Sequence, residues 1–363
     1  TALDCGASDI HIQPRPNRWE VSFRIDGVLQ PVDSFDRNDH CDPVSRLMAL
    51  AGLPSYRSNV PQEGPLRWKN ARGDEREMRL GVFPTVHGNR AVIRIMNDSD
   101  SIRRLDQLGF NPSTQQQLRD VCDSRDGWLL VAGPAGSGKT TTLYACLTEI
   151  ASGEFHRSVL TIEDPIESVI ESISQSQLGQ SNGMTLASAM RAAVRQDAEV
   201  LLVSEIRDVD TAEAVLAASM TGHLCFSSIH AGSVGATLRR LVQMKLPIFA
   251  IQSGLRAILC QRLLRRICDQ CGGQSGSDLH ANCDRCHGTG YHGRIPISQL
   301  VPFDGSAAGQ SVFDALNDGQ SAVEIDQIAS RAGIDSLYDQ ATRLIEDEKT
   351  DAAEVFRVLG RRQ

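Results

Sequence analysis

Residues Gly133, Pro134, Ala135, Gly136, Ser137, Gly138, Lys139 and Thr140 match G-x-x-x-x-G-K-[ST] between an apolar strand pattern and a helical one. In that context the spacing forms a phosphate-binding loop. Glycines let backbone N–H groups close on phosphate oxygens, and the N-terminus of the next helix adds partial positive charge. Lys139 is expected to reach the β- and γ-phosphates of ATP, the Thr140 hydroxyl to ligate Mg²⁺, and Thr141 to complete the binding segment. Chemistry on a phosphate also needs carboxylates at the ends of neighbouring strands. The apolar run Val200–Val203 leads through Ser204 into Glu205, and Val159–Ile162 leads into Glu163 and Asp164 before Pro165. Either carboxylate alone also suits a helix cap; two in order after a phosphate loop point to catalysis. His223 and His230 bracket Leu224–Ile229 from opposite ends. One of them is placed to sense a γ-phosphate, but the spacing fits two structural histidines equally well.

A second constellation lies further along. Cys268-x-x-Cys271 and Cys283-x-x-Cys286 form two pairs separated by eleven residues. Tetrahedral Zn²⁺ takes four soft ligands, and a C-x-x-C turn folds two onto one metal. His280, His287 and His292 are alternative ligands, but four sulfurs make the simpler site. Fully protein-ligated, it would be structural rather than catalytic.

These groups need elements to hold them. Alternation marks strands at Ile10–Ile12 and Trp19–Ile25, with Asp26-Gly27 turning into Val28-Leu29. A helix is expected over Val44–Ala51, and two strands, Met78–Val82 and Ala91–Ile95, flank a turn at Pro84–Asn89. A turn centred between Val86 and His87 puts Arg79 opposite Arg94 and Phe83 opposite Arg90. Met78, Leu80, Val82, Ala91, Ile93 and Ile95 then form the buried face. The polar stretch Asn97–Ser101 reads as a linker. Beyond it, short apolar strands (Trp128–Ala132, Val159–Ile162, Val200–Val203, Leu224–Ile229) alternate with helices, the pattern of a parallel α/β sheet. Arg262, Arg265 and Arg266 after Cys260 read as a basic helix end, and helices fill the chain after the cysteines.

The 363-residue chain is long enough for two domains plus extras. No apolar run reaches the length of a membrane span. A net charge of −8 argues against broad nucleic-acid binding. Six of the ten cysteines are scattered singly, which fits a reducing compartment with one metal site. The first residue is Thr1 rather than Met, as in a fragment of a longer protein.

Taken together, Gly133–Tyr144, Thr161–Glu167, Arg195–Asp197 with Ser204–Asp208, and Thr221–Leu224 with His230 resemble four ordered motifs of the type II secretion and type IV pilus assembly ATPases, the GspE/PilB group. Ala7–Ile12 and Phe23–Gly27 resemble the domain that precedes the ATPase core in that family. The resemblance implies an α/β protein with a RecA-like P-loop NTPase core, a small α/β (PAS-like) domain before it, an inserted four-cysteine zinc module and a helical C-terminal part. The implied boundaries are 1–97, a linker over 98–106, the core over 107–260, the zinc module over 261–303 and the helical part over 304–363.

By the same resemblance Glu163 orients or deprotonates the attacking water, Glu205 acts on the Mg²⁺ shell or the water, and His230 reports nucleotide state. Arg79, Arg94 and Arg294 match arginines that contact nucleotide. The family works as homo-hexamers, cytoplasmic and peripheral to the inner membrane, acting on membrane platform proteins without direct nucleic-acid contact. A DNA-transfer motor and a non-hydrolysing nucleotide-dependent scaffold are the alternatives. Retraction motors lack the cysteine module, so its presence points to secretion or extension. Departures from the pattern at Ser204, Ala198, Glu199, Ala231, Ile295 and Pro296 remove no charged catalytic group.

Overall fold

A computed structural model of the chain describes residues 1–37, 42–69, 75–96, 104–179, 183–273 and 283–361. The polar linker at 97–101 and His280 lie outside the described residues. The chain divides into two compact units, residues 1–98 with 268–293, and residues 99–267 with 294–363.

In the first unit, β1 (Asp9–Pro14), β2 (Arg18–Ile25), β3 (Val28–Asp36), β4 (Gln62–Lys69), β5 (Glu75–Thr85) and β6 (Gly88–Ile95) form one antiparallel sheet, ordered β3-β2-β1-β6-β5-β4. Asp26 and Gly27 have φ of 47° and 81°, the paired positive values that a two-residue hairpin turn requires. Helix α1 (Pro43–Leu50) starts where the Asp42 carboxylate accepts from Val44 N at 2.9 Å, with proline in its first turn. It lays Val44 and Met48 on Trp19, Leu80, Val82 and Ala91, all buried. The β5–β6 register is the expected one, with Arg79 opposite Arg94 and Phe83 opposite Arg90. Strand β4 had no sequence signal, because Gly64 and Pro65 interrupt it. As an edge strand it tolerates a proline.

The second unit has a seven-stranded sheet ordered β13-β12-β7-β11-β10-β8-β9. Its strands are β7 (Gly127–Ala132), β8 (Val159–Glu163), β9 (Ser174–Gln177), β10 (Val200–Val203), β11 (Leu224–Ile229), β12 (Leu255–Ile267) and β13 (Tyr291–Pro302). The helices along this stretch are α2 (Pro112–Cys122), α3 (Lys139–Ser152), α4 (Leu186–Ala193), α5 (Val209–Ser219), α6 (Val234–Gln243) and α7 (Ile248–Gly254). Strands β12, β7, β11, β10, β8 and β9 run parallel. Both faces of the central strands β7, β10 and β11 are covered, so these read as largely apolar runs. Leu130, Ala132, Leu201 and Val203 pack on Met190, Val215 and Leu238. Leu129, Val131, Val200 and Leu202 pack on Leu118, Leu143 and Leu147.

The expected basic helix end at Arg262, Arg265 and Arg266 is instead the second half of β12. Leu255, Ile258 and Leu259 follow helical spacing in the sequence, but the free edge of β7 is filled by pairing Ile258 with Leu130 and Cys260 with Ala132. Helices do fill the C-terminal part: α8 (Ala307–Asn317), α9 (Ala322–Arg331), α10 (Leu337–Glu346) and α11 (Ala352–Leu359). Ser321 with Glu324 and Ser336 with Asp339 make reciprocal caps on α9 and α10.

Glu354 fastens α11 to β12. Its fully buried carboxylate accepts from Arg265 N and Nε, both at 2.9 Å, and from Arg357 Nε at 2.7 Å. Burial pushes its pKa up, but the hydrogen bonds from Arg357 and Arg265 outweigh burial and hold it below the ordinary value. Because the folded-state pKa is the lower one, this stabilisation is present above the unfolded carboxylate pKa and is lost as pH falls through the folded one. Breaking a buried pair costs about 3 kcal/mol. Glu354→Gln is therefore expected to cut hydrogen-exchange protection over 352–359 about 100-fold, and unchanged protection would refute the tie.

Candidate active site

The parallel register decides which residues meet. β7 pairs Ala132 with Ile229 of β11, β11 pairs Ser227 with Val203 of β10, and β10 pairs Val203 with Ile162 of β8. Gly133, Glu163, Ser204-Glu205 and His230 therefore emerge together at the carboxyl edge, where parallel sheets hold ligands. His223 precedes β11 at the other end, with its Nδ1 3.2 Å from Ala218 O. Of the two histidines, His230 is the one at this edge.

The loop between β7 and α3 (Lys139–Ser152) is shaped for close backbone approach. A Cβ at Gly133 would stand 2.4 Å from Ser137 Oγ and 2.7 Å from Gln261 O. Gly138, φ 87°, immediately precedes α3 and carries no side chain to occupy that helix's first N–H groups. The Ser137 hydroxyl is buried without a partner among the described residues, and a Cβ on Gly136 would meet open space. Lys139 Nζ lies 2.9 Å from the carbonyls of both Gly133 and Pro134. Burial lowers its pKa, and the nearby Glu205 charge acts against that shift. Thr140 is half-buried and Thr141 exposed at the start of α3. Open N–H groups, an orphaned hydroxyl and a lysine in one cradle fit a phosphate.

Glu205 pairs with His230 Nε2 at 3.0 Å and accepts from Arg207 Nε at 2.9 Å. Arg207 also reaches Asp164 at 3.8 Å. Glu163, 1% exposed, sits deeper, held by Tyr144, Thr161 and Gln175. Pro134 and Ala135 of the loop, His230, Ala231, Gly232 and Arg262 line a cleft of about 360 Å³.

Two residues of this site had no motif to reveal them. Gln261 of β12 accepts from Thr142 Oγ1 at 2.9 Å and donates to Ser137 O at 2.6 Å, bracing the loop from its side. Arg262 donates to Gly232 O at 2.7 Å, just after His230.

In the first unit, Arg79 and Arg94 stand on the polar face of the sheet. Arg79 ion-pairs with Glu63, and Arg94 with Asp9 at 3.1 Å, so carboxylates on both flanking strands offset the like charges. Arg294 is exposed on β13.

The four cysteines Cys268, Cys271, Cys283 and Cys286 bring their Sγ atoms within 4.8 Å of one another. Cys268 and Cys283 are 3.8 Å apart, and Cys271 and Cys286 are 3.7 Å apart. A tetrahedron with Zn–S bonds of about 2.3 Å has edges of about 3.8 Å, so the residues fit zinc. His287 and His292 are not in the group. Gly293 N donates to Asp26 Oδ2 at 2.8 Å, tying the end of the module to the β2–β3 hairpin within the same unit.

Fold and site together define a P-loop nucleotide-binding α/β protein with a four-cysteine module. The family model described as "Type II/IV secretion system protein" matches residues 1–357, and the chain belongs to that family. It is 35% identical over 351 residues to the type IV pilus assembly ATPase PilB of Thermus thermophilus, covering 91% of this chain and 39% of that protein. It is also 35% identical over 378 residues to the pilus assembly ATPase TfpB of Acinetobacter baylyi, covering 99% of this chain and 63% of that protein. To the type II secretion system protein E of Pseudomonas aeruginosa it is 35% identical over 375 residues, covering 98% and 73%. The ATPase DotB of Legionella pneumophila shares the fold, with a TM-score of 0.72 over 99% of this chain and 93% of that one at 19% identity. Among the described residues no helix is long and apolar enough to cross a membrane.

Proposed function

We propose that the chain is the motor part of a homo-hexameric ATPase that powers type II secretion or type IV pilus extension, working at the cytoplasmic face of the inner membrane on platform proteins and without direct nucleic-acid contact. The observation that carries this reading is the convergence of the Lys139 loop, Glu205 and His230 on one sheet edge. The four-cysteine module supports extension or secretion over retraction.

ATP binds with its phosphates in the Gly133–Thr141 loop. Mg²⁺, held through Thr140, would neutralise charge on the β- and γ-oxygens. Water attacks the γ-phosphorus, its bond to the bridging oxygen breaks, and ADP leaves with that oxygen. The water's proton passes to a site carboxylate, with Glu163 orienting the water and Glu205 acting on it or on the metal shell. His230, with Nε2 3.0 Å from Glu205, registers the change in charge. Arg79, Arg94 and Arg294 serve as phosphate sensors, as their match to the family pattern implies.

Glu205→Gln keeps the shape of the site and removes the charge. Phosphate release is expected to fall about 100-fold while nucleotide binding persists. Release within threefold of the parent would remove Glu205 from the mechanism.

A further inference from the structure

We propose that Tyr144 is a positioning residue for Glu163, fixing its carboxylate so that one acceptor position is left for a water; this rests on the reading of Glu163 as the residue that handles the attacking water. Tyr144 lies one helical turn beyond Thr140 on α3 and is 5% exposed. Its hydroxyl donates to Glu163 Oε2. Glu163 Oε1 accepts twice, from Thr161 Oγ1 at 2.6 Å and from Gln175 Nε2 at 3.1 Å. A carboxylate offers about four acceptor positions, two on each oxygen. Oε1 is therefore filled, and among the described residues Oε2 has only Tyr144. The fourth position, beside the tyrosine hydroxyl, is where a water can be held.

The direction of the Tyr144 bond is itself set. Glu167 N donates to the same hydroxyl at 3.3 Å, which leaves the phenol proton for Glu163. Burial, then the bond to Glu163, push the Tyr144 pKa well above its ordinary value, so it remains a donor through neutral pH. No other acid or base from the neighbouring strands faces Glu163, because β9 is Ser-Gln-Ser-Gln and β10 is Val-Leu-Leu-Val. The charged groups that follow on the same loop are Asp164, paired to Arg207, and Glu167. Tyr144 and the two Oε1 donors thus hold a buried carboxylate in one orientation.

The test compares Tyr144→Phe with Glu163→Gln in the assembled protein, following kcat, the ATP KM and the pH profile of kcat. Tyr144→Phe keeps the ring and removes the donor. We expect kcat to fall about 10- to 100-fold, KM to stay within about threefold, and the acidic limb to move up by about one pH unit. Substituting 3-fluorotyrosine at 144, a stronger acid of the same shape, should move that limb down. If Glu163→Gln turns over like the parent, the reading of Glu163 itself fails. If Glu163→Gln is inactive but neither change at 144 moves the acidic limb, Tyr144 only packs and the positioning role is wrong.

Discussion

Lys139→Ala is expected to lower ATP turnover about 1000-fold or more, the range seen when a fixed cation or oxyanion donor is removed from a phosphoryl or acyl transition state. The side chain is 9% exposed and lies across its own loop, with Nζ on the Gly133 and Pro134 carbonyls. Those two bonds show that the ammonium is already held over the loop, so its loss removes charge from a formed cradle and leaves the fold standing. Gln261, Ser137 and Thr142 brace the loop without Lys139. Melting temperature should therefore change little while phosphate release collapses. Retention of more than about a tenth of parent activity would contradict the phosphate-loop assignment.

Removal of metal from the cysteine module is expected to have the second large effect. Structural zinc contributes roughly 10–16 kcal/mol in finger peptides, far more than a short loop can replace by packing. Among the described residues Cys268, Cys283 and Cys286 are buried and form a separate cluster whose only apolar neighbour is Cys271. Without a metal the module has little core of its own. Elemental analysis should find one Zn²⁺ per chain, and chelation should abolish exchange protection over 268–273 and 283–293 while β7 and α3 stay protected. Purified protein with four titratable thiols at these positions and no stoichiometric metal would refute the site.

Some of this was legible in the sequence because the signal is local. The β5–β6 register follows from strict alternation on both arms of one hairpin. The phosphate loop and the C-x-x-C pairs are contiguous motifs whose chemistry depends on spacing. The parts that were not legible depend on distant neighbours. β12 carries apolar residues at spacings that suit a helix as well as a strand, and only the open edge of β7 decides between them. β9 is wholly polar because it lies at the end of the sheet. Gln261 reaches residues 119 and 124 positions away, so nothing near it in sequence marks it as part of the loop. The choice between His223 and His230 turned on which end of β11 meets Gly133, and the parallel register puts His230 at that end.

The most direct test of the whole reading is steady-state phosphate release by the purified wild-type protein with Mg²⁺ and ATP, alongside stoichiometric nucleotide binding. A motor ATPase must show release that saturates with ATP, requires Mg²⁺ and disappears in Lys139→Ala. Stoichiometric ATP binding with release no faster than the Lys139→Ala background would instead identify a nucleotide-dependent scaffold and contradict the account.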